Sequence, residues 1–378
     1  MQKIGRIESI QVEDLLDRPT IHINTNHVEA ILGNKVVLVT GGAGSIGSEI
    51  VRQVAKYSPK AIILMEIAES PLHDLTVDLR RKHPHLQFVP IIADVRDLGM
   101  VEKMFAEYHP TVIFHAAAYK HVPLMEDFPT QAVIANVLGT KNMADMAIKY
   151  NAERFVMVST DKAVNPTNVM GASKRIAEIY VQSLFLKQSQ IHPDCTKFIT
   201  TRFGNVLGSN GSVVPFFKKQ IAEGGPVTVT HPDIIRYFMT IPEATCLVLE
   251  AATLGNGGEI FCFDMGHPVR IADLAKNMIR LAGYVPGKDI EIIYTGLRPG
   301  EKLYEELLNQ KEITLPTNNE KILVAKVREY DFDTVAVSIQ ALIEDAKQGK
   351  VFPVVQKMKD IVPEFKSKNS VYEQLDKN

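Results

Sequence analysis

The chain has 378 residues, of which 46% are hydrophobic and 23% are charged, and its formal net charge is -2. This composition is typical of a soluble globular protein, and the nearly balanced charge argues against nucleic acid or an anionic membrane as a partner. No run approaches about 18 apolar residues and no signal peptide opens the chain, so the chain as given is not expected to span a membrane.

Residues 1–33 carry no grouping of residue types that suggests catalysis. The segment 6–16 predicts a short strand and a turn of helix, and the segment 19–24 predicts extended chain. We therefore expect residues 1–33 to form an N-terminal arm that packs against the rest of the protein.

From residue 34 onward, short apolar segments alternate with amphipathic ones. Strands are predicted at residues 36–39, 61–65, 87–92, 111–114, 155–158 and 198–202. Helices are predicted at residues 49–56, 72–82, 100–108, 130–150 and 170–187. Continuous apolar strands between helices indicate a parallel sheet covered on both faces. The predicted fold class is α/β, with a Rossmann-type doubly wound parallel sheet over residues 34–204.

After residue 204 the regular alternation of strands and helices ends, and Gly and Pro become frequent. Short strands are predicted at residues 227–230, 259–263 and 290–294, and helices at residues 242–254 and 271–282. We expect residues 205–330 to form mainly a smaller substrate-binding lobe. Residues 331–378 predict a C-terminal helical tail with two amphipathic helices.

A glycine-rich loop connects the first strand to the first helix, with Gly41, Gly44 and Gly47 at intervals of three. Such a loop lets the backbone approach a pyrophosphate at a helix N-terminus. Glu66 ends the second strand, where a carboxylate accepts ribose hydroxyls and repels a 2′-phosphate, so NAD is favoured over NADP. The other predicted cofactor residues lie in this loop, at later strand ends or in the following helix: Ser45, Ile46, Asp94, Val95, Ala116, Ala117, Ala118 and Asn136.

Thr160, Asp161 and Lys162 directly follow the fifth strand, and Met170 and Lys174 lie four residues apart on the next helix. Residues at that spacing share one face of a helix. Ligands of open α/β sheets bind outside the carboxyl ends of the strands, so we expect the active site here. Two simpler interpretations stay open: a surface ion pair of Asp161 with Lys162, and core packing for Met170.

In this spacing the chain resembles the extended short-chain dehydrogenase/reductase family, although Met170 stands where that family has the tyrosine of Tyr-x-x-x-Lys. The Thr160-Asp161-Lys162 sequence and the methionine are similar to UDP-N-acetylglucosamine 4,6-dehydratases of bacterial polysaccharide biosynthesis, in their C5-retaining, membrane-associated branch. The motifs that carry this resemblance are residues 118–123, 159–165, 202–206, 211–217 and 298–302.

The resemblance implies an internal redox cycle on bound NAD. Hydride leaves C4 of the hexose, the C5 proton is removed, the C6 hydroxyl leaves as water, and hydride returns to C6. It implies that Lys162 is the C5 base, with a pKa lowered by roughly 3 units from about 10.4, and that Asp161 is the acid for the C6 oxygen. Thr160 hydrogen-bonds the C4 oxygen, and Lys174 holds the nicotinamide ribose. The group that deprotonates the C4 hydroxyl stays open, with Thr160 relaying to water or to Asp161 as the candidates.

The resemblance also implies a substrate site for UDP-N-acetylglucosamine. Arg236 and Arg298 are candidates for the diphosphate, because a guanidinium fork fits phosphate oxygens. The remaining candidates are Lys120 and His121 near the sugar, Asn205 for diphosphate or sugar, Val214, Pro215 and Phe216 in a loop beside the uracil, and Thr240 and Glu301 at the uridine.

Two other functions stay open: a C5-inverting dehydratase or epimerase of a related UDP-sugar, and a non-catalytic NAD-binding scaffold. Cys195, Cys246 and Cys262 lack metal-ligand spacing, so we expect reduced thiols and no metal. The expected protein is cytoplasmic and a homo-oligomer. The resemblance further raises the hypothesis of membrane attachment, through a segment outside this chain, at the cytoplasmic face of the inner membrane.

Overall fold

The structure is a computed structural model that describes residues 24–306 and 313–376. The predicted strand and helical turn at residues 6–16 lie outside the described residues, as does all but the last residue of the segment 19–24. Within the predicted arm, Thr25–Leu32 is a helix that buries Val28 and Leu32, and the Asn24 side chain caps it by accepting a hydrogen bond from His27 N.

The strands, in chain order, are β1 (Val36–Thr40), β2 (Ala61–Glu66), β3 (Phe88–Ile92), β4 (Val112–His115), β5 (Arg154–Val158), β6 (Lys197–Arg202), β7 (Asn205–Val206), β8 (Val227–Val229), β9 (Ile235–Arg236), β10 (Phe238–Met239), β11 (Ile260–Phe263), β12 (Val269–Arg270), β13 (Ile292–Tyr294), β14 (Ile313–Pro316) and β15 (Ile322–Lys326). Among the described residues, nine of them form one sheet in the order β14-β15-β11-β6-β5-β4-β1-β2-β3. Strands β1 to β6 and β11 pair in parallel, and β15 and β14 extend the sheet with antiparallel pairing. The predicted doubly wound parallel sheet is confirmed.

The helices are Thr25–Leu32, Ser45–Val54, Glu69–Lys82, Leu98–Tyr108, Val122–Asp127, Pro129–Ala132, Gly139–Lys149, Val169–Ile191, Val213–Ala222, Ile241–Leu254, Ile271–Leu281, Phe332–Lys347 and Val351–Ile361. Single 3-10 turns occur at Ala55–Tyr57 and Asp161–Ala163, and a longer one at Val371–Leu375. The helix predicted at residues 130–150 is interrupted by a π-helical segment, Val133–Leu138. Such segments are often found at functional sites.

Helices cover both faces of the sheet, as the strand pattern requires. One face packs against the helix Val169–Ile191. The tail helices Phe332–Lys347 and Val351–Ile361 contribute side chains to the same apolar core. The other face packs against Ser45–Val54 and Ile241–Leu254. The long helix therefore lies between the sheet and the tail, and 15 of its 23 residues are buried.

The predicted substrate lobe, residues 205–330, is not one continuous unit. A separate apolar core joins the helices Val213–Ala222 and Ile271–Leu281 with β8 and β13. Between them, the chain returns to the main sheet through Ile241–Leu254 and the fully buried strand β11. Strand β11 has apolar side chains on both faces, and such a strand is stable inside a sheet that helices cover on both sides. This explains why the chain comes back to the main sheet at β11.

Candidate functional site

A cavity of about 750 Å³ opens where the strand order reverses, between β1 and β4. In open α/β sheets this switch point is the usual place for a ligand. Its walls come from the glycine-rich loop after β1, the segment after β4, the segment after β5 and residues 203–212. The sequence-predicted residues in its walls are Gly41, Gly44, Ser45, Ile46, Gly47, Ala116, Ala118, Lys120, His121, Thr160, Lys162, Met170, Lys174 and Asn205.

The glycine-rich loop has the close packing that a dinucleotide requires. A Cβ atom at Gly47 would lie 2.0 Å from the Gly41 carbonyl oxygen, so only glycine lets the helix Ser45–Val54 approach the loop this closely. The helix N-terminus consequently opens directly into the cavity, with Ser45 and Ile46 in the wall. Free backbone N–H groups and the helix dipole favour a phosphate there, so the residues present fit the predicted NAD pyrophosphate.

Glu66 lies beside this loop but outside the cavity lining. One of its carboxylate oxygens accepts a hydrogen bond from Ala43 N (3.2 Å), and the other accepts from Ile67 N (2.9 Å) and Ala68 N (3.2 Å). The carboxylate is therefore fixed at the end of β2, next to the turn that follows β1.

Four other predicted cofactor residues have different contacts. Asp94 accepts hydrogen bonds from Arg96 N (2.8 Å) and Arg96 Nε (2.7 Å), so its carboxylate is held by its own turn. Burial raises the pKa of Asp94, but the Arg96 hydrogen bonds outweigh it and leave the pKa lowered. Val95 packs in the core, and Ala117 N donates to Thr40 Oγ1.

Asn136, the fourth, is fully buried and lies in the π-helical segment. Its amide accepts from Tyr119 N (2.8 Å) and donates to Tyr119 O (2.9 Å) and to Ser173 Oγ (2.9 Å). Asn136 thereby holds the segment after β4 against the helix Val169–Ile191, at the place where both segments line the cavity.

A chain of buried hydrogen bonds supports the floor of the cavity at His115. Its Nδ1 lies 2.8 Å from Thr40 Oγ1 and its Nε2 lies 3.0 Å from Thr140 Oγ1. The Thr140 hydroxyl donates to Asn136 O (2.7 Å), so it accepts from His115 Nε2, and Nδ1 accepts from Thr40. Burial, together with the Lys174 charge, lowers the pKa of His115 to about 3, which keeps the ring neutral.

Thr160, Asp161 and Lys162 form a turn at the end of β5. The Thr160 hydroxyl donates to Asp161 Oδ1 (2.8 Å), and Lys162 Nζ donates to the same oxygen (3.0 Å) and to Asn205 Oδ1 (3.3 Å). Asp161 is buried behind the cavity wall, and its Oδ2 atom has no hydrogen-bond partner among the described residues. Thr160 and Lys162 line the cavity, so they connect the buried carboxylate to the space in front of it.

The structure corrects the expected pKa shift of Lys162. Burial lowers the pKa of this amine, but attraction by Asp161 and then by Glu305, whose Oε1 lies 3.8 Å from Nζ, raises it and prevails. The sequence suggested the opposite direction because the charges of Lys174 and of the oxidised nicotinamide were expected to dominate, whereas the structure places Asp161 and Glu305 next to the amine.

Lys174 and Met170 lie one turn apart on the helix Val169–Ile191, and both line the cavity. Lys174 Nζ donates to Val158 O (2.8 Å), and burial lowers the pKa of this amine to about 8 despite the attraction of Glu178. Met170 is 3% exposed and belongs to the core cluster. It therefore packs in the core and lines the cavity at the same time. A thioether has no proton to exchange, so Met170 itself cannot act as an acid or a base.

Lys120, His121 and Asn205 also line the cavity. Burial lowers the pKa of Lys120. Burial, and then the charges of Lys120 and Arg298, lower the pKa of His121. Two cations near the His121 ring make this wall suitable for an anionic or strongly polar ligand.

Arg236 and Arg298, predicted for the diphosphate, do not line the cavity. The buried guanidinium of Arg236 donates to the carbonyl oxygens of Ile235, Leu303 and Lys302 and faces carboxylates, so its donors are already used. Arg298 is exposed and pairs with Glu301 (3.2 Å), which is itself outside the cavity lining.

Four residues expected at the uridine are also placed elsewhere. Thr240 is the N-cap of the helix Ile241–Leu254 and forms a capping box with Glu243. The predicted uracil-side loop is instead part of the helix Val213–Ala222, in which Val214 is buried and Pro215 and Phe216 are exposed. The Thr-x-x-Glu spacing at residues 240–243 is a known helix-start signal and could have identified the cap.

Several residues in this region were missed from the sequence. Tyr119, Gln131, Ser209, Asn210 and Gly211 line the cavity. Asn210 N donates to Ser45 Oγ (3.0 Å), so the segment after β7 reaches across to the start of the helix Ser45–Val54. Glu305 was missed as well, since no local spacing relates it to Lys162.

Residues 24–306 and 313–376 contain neither a candidate metal site nor a candidate membrane-spanning helix. No group of three or more His, Cys, Asp or Glu side chains there could hold a metal ion. No helix in that part of the chain is long and apolar enough to cross a membrane.

Comparison with known proteins places these features in a family. A family profile described as "Polysaccharide biosynthesis protein" matches residues 37–327. The capsular polysaccharide biosynthesis protein CapD of Staphylococcus aureus is 49% identical over 94% of the chain. That match covers 58% of CapD, so the chain spans little more than half of this relative's length.

Solved structures are similar as well. The structure of Pen from Bacillus thuringiensis is 34% identical, with a TM-score of 0.71 over 78% of the chain and 90% of Pen. The UDP-glucose 4-epimerase of Thermus thermophilus, crystallised with NAD, has a TM-score of 0.58 and 24% identity over 70% of the chain and 88% of the epimerase, which shows a shared fold.

Proposed function

The chain belongs to the polysaccharide biosynthesis protein family, and from that premise we propose that it is an NAD-dependent 4,6-dehydratase of UDP-N-acetylglucosamine. The observation that carries this proposal is the composition of the cavity wall. Met170 occupies the position of the tyrosine in the Tyr-x-x-x-Lys motif of short-chain dehydrogenases/reductases, while the Thr160 hydroxyl and the Lys162 amine both donate hydrogen bonds to the buried carboxylate of Asp161. This arrangement suits the elimination of water better than simple oxidation of an alcohol.

We propose that the cofactor site is the glycine-rich loop and the N-terminus of the helix Ser45–Val54. Bound NAD would accept hydride from C4 of the sugar and return it to C6, so that no net oxidation occurs. Gly47 and Ser45 would hold the pyrophosphate, Glu66 would stand beside the ribose, and Lys174 would hold the nicotinamide ribose. The part of the cavity wall formed by Lys120, His121 and Asn205 would receive the UDP-sugar.

The oxidation step needs an acceptor for the C4 hydroxyl proton. Thr160 takes this proton while its own hydroxyl proton moves to Asp161 Oδ1, along the existing hydrogen bond of 2.8 Å. The C4 O–H bond breaks, an O–H bond forms on Asp161, and Thr160 ends as it began. Lys174, beside Thr160 in the cavity wall, places positive charge near the developing alkoxide.

The elimination step uses the proton stored on Asp161. Neutral Lys162 removes the C5 proton, the electron pair forms the C5–C6 double bond, and the C6 hydroxyl leaves as water with the proton relayed from Asp161 through Thr160. Lys162 then returns its proton to C5 as hydride would add to C6, so the C5–C6 double bond becomes a single bond and the neutral amine is regenerated. Because the structure raises the pKa of Lys162, we expect the rate of elimination to increase with pH until this amine is largely neutral.

Incubation with UDP-N-acetylglucosamine, with and without added NAD, followed by mass spectrometry, tests the function. Loss of one water from the sugar supports the dehydratase. Unchanged mass with altered stereochemistry indicates an epimerase instead, and no reaction with any UDP-hexose favours a non-catalytic NAD-binding protein. Proton NMR of the product in heavy water separates retention from inversion at C5.

We predict that Lys162→Met abolishes dehydration while NAD binding stays within about twofold of wild type. The variant removes the only amine hydrogen-bonded to Asp161 within the described part of the chain. The partners of this amine, Asp161, Asn205 and Glu305, all lie outside the glycine-rich loop. Turnover by mass spectrometry and NAD affinity by calorimetry measure the two effects. Lys219→Met, at an exposed helical position outside the cavity, is the matched control. Wild-type turnover by Lys162→Met would remove Lys162 as the base.

A homo-oligomeric state, attachment to the cytoplasmic face of a membrane and a role in bacterial surface glycans stay predictions.

A further inference from the structure

Glu305 brings a second carboxylate to Lys162 from a distant part of the chain. Its Oε1 atom lies 3.8 Å from Lys162 Nζ, and its side chain is 4% exposed. The other carboxylate oxygen, Oε2, is buried and has no hydrogen-bond partner among the described residues. A buried carboxylate is costly unless a charge compensates it, so its position next to Lys162 requires an explanation.

The segment that carries Glu305 is fastened to the turn that carries Lys162. Lys302 Nζ donates to Val164 O (3.1 Å), and Thr167 Oγ1 donates to Gly300 O (2.9 Å). Arg236 holds the other side, because its guanidinium donates to Lys302 O (2.8 Å) and its Nε lies 3.6 Å from Glu305 Oε1. Glu305 is therefore built into the wall behind Lys162.

Four groups face the Lys162 amine from four separate segments. Asp161 follows β5, Asn205 begins β7, Arg236 ends β9 and Glu305 follows the segment 298–302. The two carboxylates favour the protonated amine, and the Arg236 charge opposes it. Asp161 makes the larger contribution, and Glu305 adds a second negative charge that also outweighs the opposing charge of Arg236.

We propose that Glu305 is a positioning residue that holds the Lys162 amine against Asp161 and stabilises the proton that Lys162 acquires during turnover. The C5–H bond breaks as the N–H bond forms, and the new ammonium then lies between two carboxylates. Glu305 itself exchanges no proton with the substrate. This inference rests on the proposed function in one respect, namely that Lys162 acts as the base.

The first test measures Lys162 directly and needs no substrate. The amines are trace-labelled with acetic anhydride across pH 6 to 11, and acetylated Lys162 is quantified by peptide mass spectrometry. In Glu305→Gln we expect the titration midpoint of Lys162 to fall by about one pH unit, because an opposite charge at this distance shifts a pKa by one to three units. Glu305→Asp, which keeps the charge but moves it by one methylene, is expected to lie between Glu305→Gln and wild type.

Glu306→Gln is the matched control. It removes a carboxylate from the neighbouring position, where the side chain is 47% exposed and pairs with Lys302 rather than with Lys162. We expect its Lys162 midpoint to equal that of wild type. Thermal unfolding of each variant identifies any that fail to fold, and Glu305→Asp then carries the test alone. A wild-type midpoint in both Glu305 variants overturns the proposal.

The second test measures the pH dependence of turnover. In Glu305→Gln the rise of kcat with pH should occur at lower pH, by the same interval as the labelling midpoint. The maximal value of kcat should fall, because the amine of the variant is a weaker base. A purely structural role would lower kcat at every pH without moving this rise, and that result contradicts the proposal. If the wild-type protein does not dehydrate UDP-N-acetylglucosamine, the proposed function fails, but the labelling still decides whether Glu305 controls Lys162.

Discussion

His115 shows how a single residue supports the cavity without reaching it. The ring is completely buried at the end of β4, and each nitrogen contacts a threonine hydroxyl. Thr40 ends β1 and Thr140 follows the π-helical segment, so the ring joins the two strands at the switch point to the helix beside them. A protonated ring would lose the hydrogen bond that its Nδ1 accepts, which favours the neutral form.

Acid should therefore weaken the protein through His115. Burial, with the Lys174 charge, lowers its pKa to about 3 from 6.5. Between these values the unfolded chain binds a proton that the folded chain does not, so stability is lost as the pH falls from 6.5 towards 3. We predict that the free energy of unfolding of wild type, measured relative to His115→Gln, falls by about 2 kcal/mol from pH 7 to pH 5.

Urea unfolding at the two pH values measures this difference. His85→Gln replaces an exposed histidine, and its free energy of unfolding relative to wild type should change little over the same interval. A difference between wild type and His115→Gln that is independent of pH would show that His115 is not held neutral.

Residues close in sequence could be predicted, and residues that meet only through folding could not. Thr160, Lys162, Met170 and Lys174 were placed correctly in one cavity wall because a strand end and a helical spacing fix them locally. Glu305, which joins Lys162 from 143 residues away, carries no such local signal. Attraction by the buried Asp161, with that of Glu305 added, explains why the expected direction of the Lys162 pKa shift was wrong.

At the scale of elements, the turn after β5 is held against the start of the helix Val169–Ile191. A Cβ atom at Gly171 would lie 2.0 Å from the Lys162 carbonyl oxygen, so the turn lies directly on the helix. Asn168 fixes the same end, since its side chain accepts from Gly171 N (2.7 Å) and donates to Gly300 O (3.1 Å). The positions of Lys162 and of the helix therefore depend on each other.

We predict that Gly171→Ala lowers both stability and turnover. The methyl group must push the turn and the helix apart, which typically costs about 1–3 kcal/mol and exceeds the gain of up to about 1 kcal/mol in helix propensity. It also displaces Lys162, so turnover should fall by at least about tenfold while NAD affinity changes little.

Gly99→Ala is the control, because it is a helical glycine whose added Cβ would meet only Asp97 Oδ1, at 3.4 Å. Urea unfolding and the dehydration assay compare the two variants. Equal stabilities of Gly171→Ala and Gly99→Ala would show that the turn can move without cost.

Element predictions failed where tertiary contacts select the structure. Residues 214–217 were expected to form a loop beside the uracil, yet Val214 and Phe217 are buried in the small lobe and fix this segment as part of a helix. Arg236 was expected at a phosphate, but the carbonyl and carboxylate partners that use its donors lie far along the chain. The helix Thr25–Leu32 was not predicted. Its stability comes from packing against the apolar core that contains the helices Ser45–Val54 and Ile241–Leu254.

At the scale of the whole molecule, the last described residues pack behind the cavity. Lys366 N donates to Pro166 O (3.1 Å), and Gly300 N donates to Lys368 O (2.7 Å). Ser370 Oγ donates to the buried Glu126 (2.6 Å), whose other oxygen accepts from Val169 N (2.7 Å). The tail therefore joins three segments that surround the site.

Ending the chain at residue 363 should lower the free energy of unfolding by about 3 kcal/mol or more. It removes the buried side chains of Phe365 and Tyr372 and leaves the Glu126 carboxylate with one hydrogen bond fewer. Thermal and urea unfolding measure the loss. Val371→Ser, in the same segment but 69% exposed, should stay within about 0.5 kcal/mol of wild type. An unchanged midpoint in the shortened chain would show that the tail only lies on the surface.

The same contacts set an order of events during synthesis on the ribosome. Ser370 follows Glu126 by 244 residues, so the helix Val122–Asp127 and the turn after β5 emerge long before the segment that completes their support. The wall of the cavity is consequently finished only when the segment around Ser370 has been translated. A nascent chain that stalls between Glu305 and Ser370 would carry every residue proposed for catalysis and still lack the support that holds them in place.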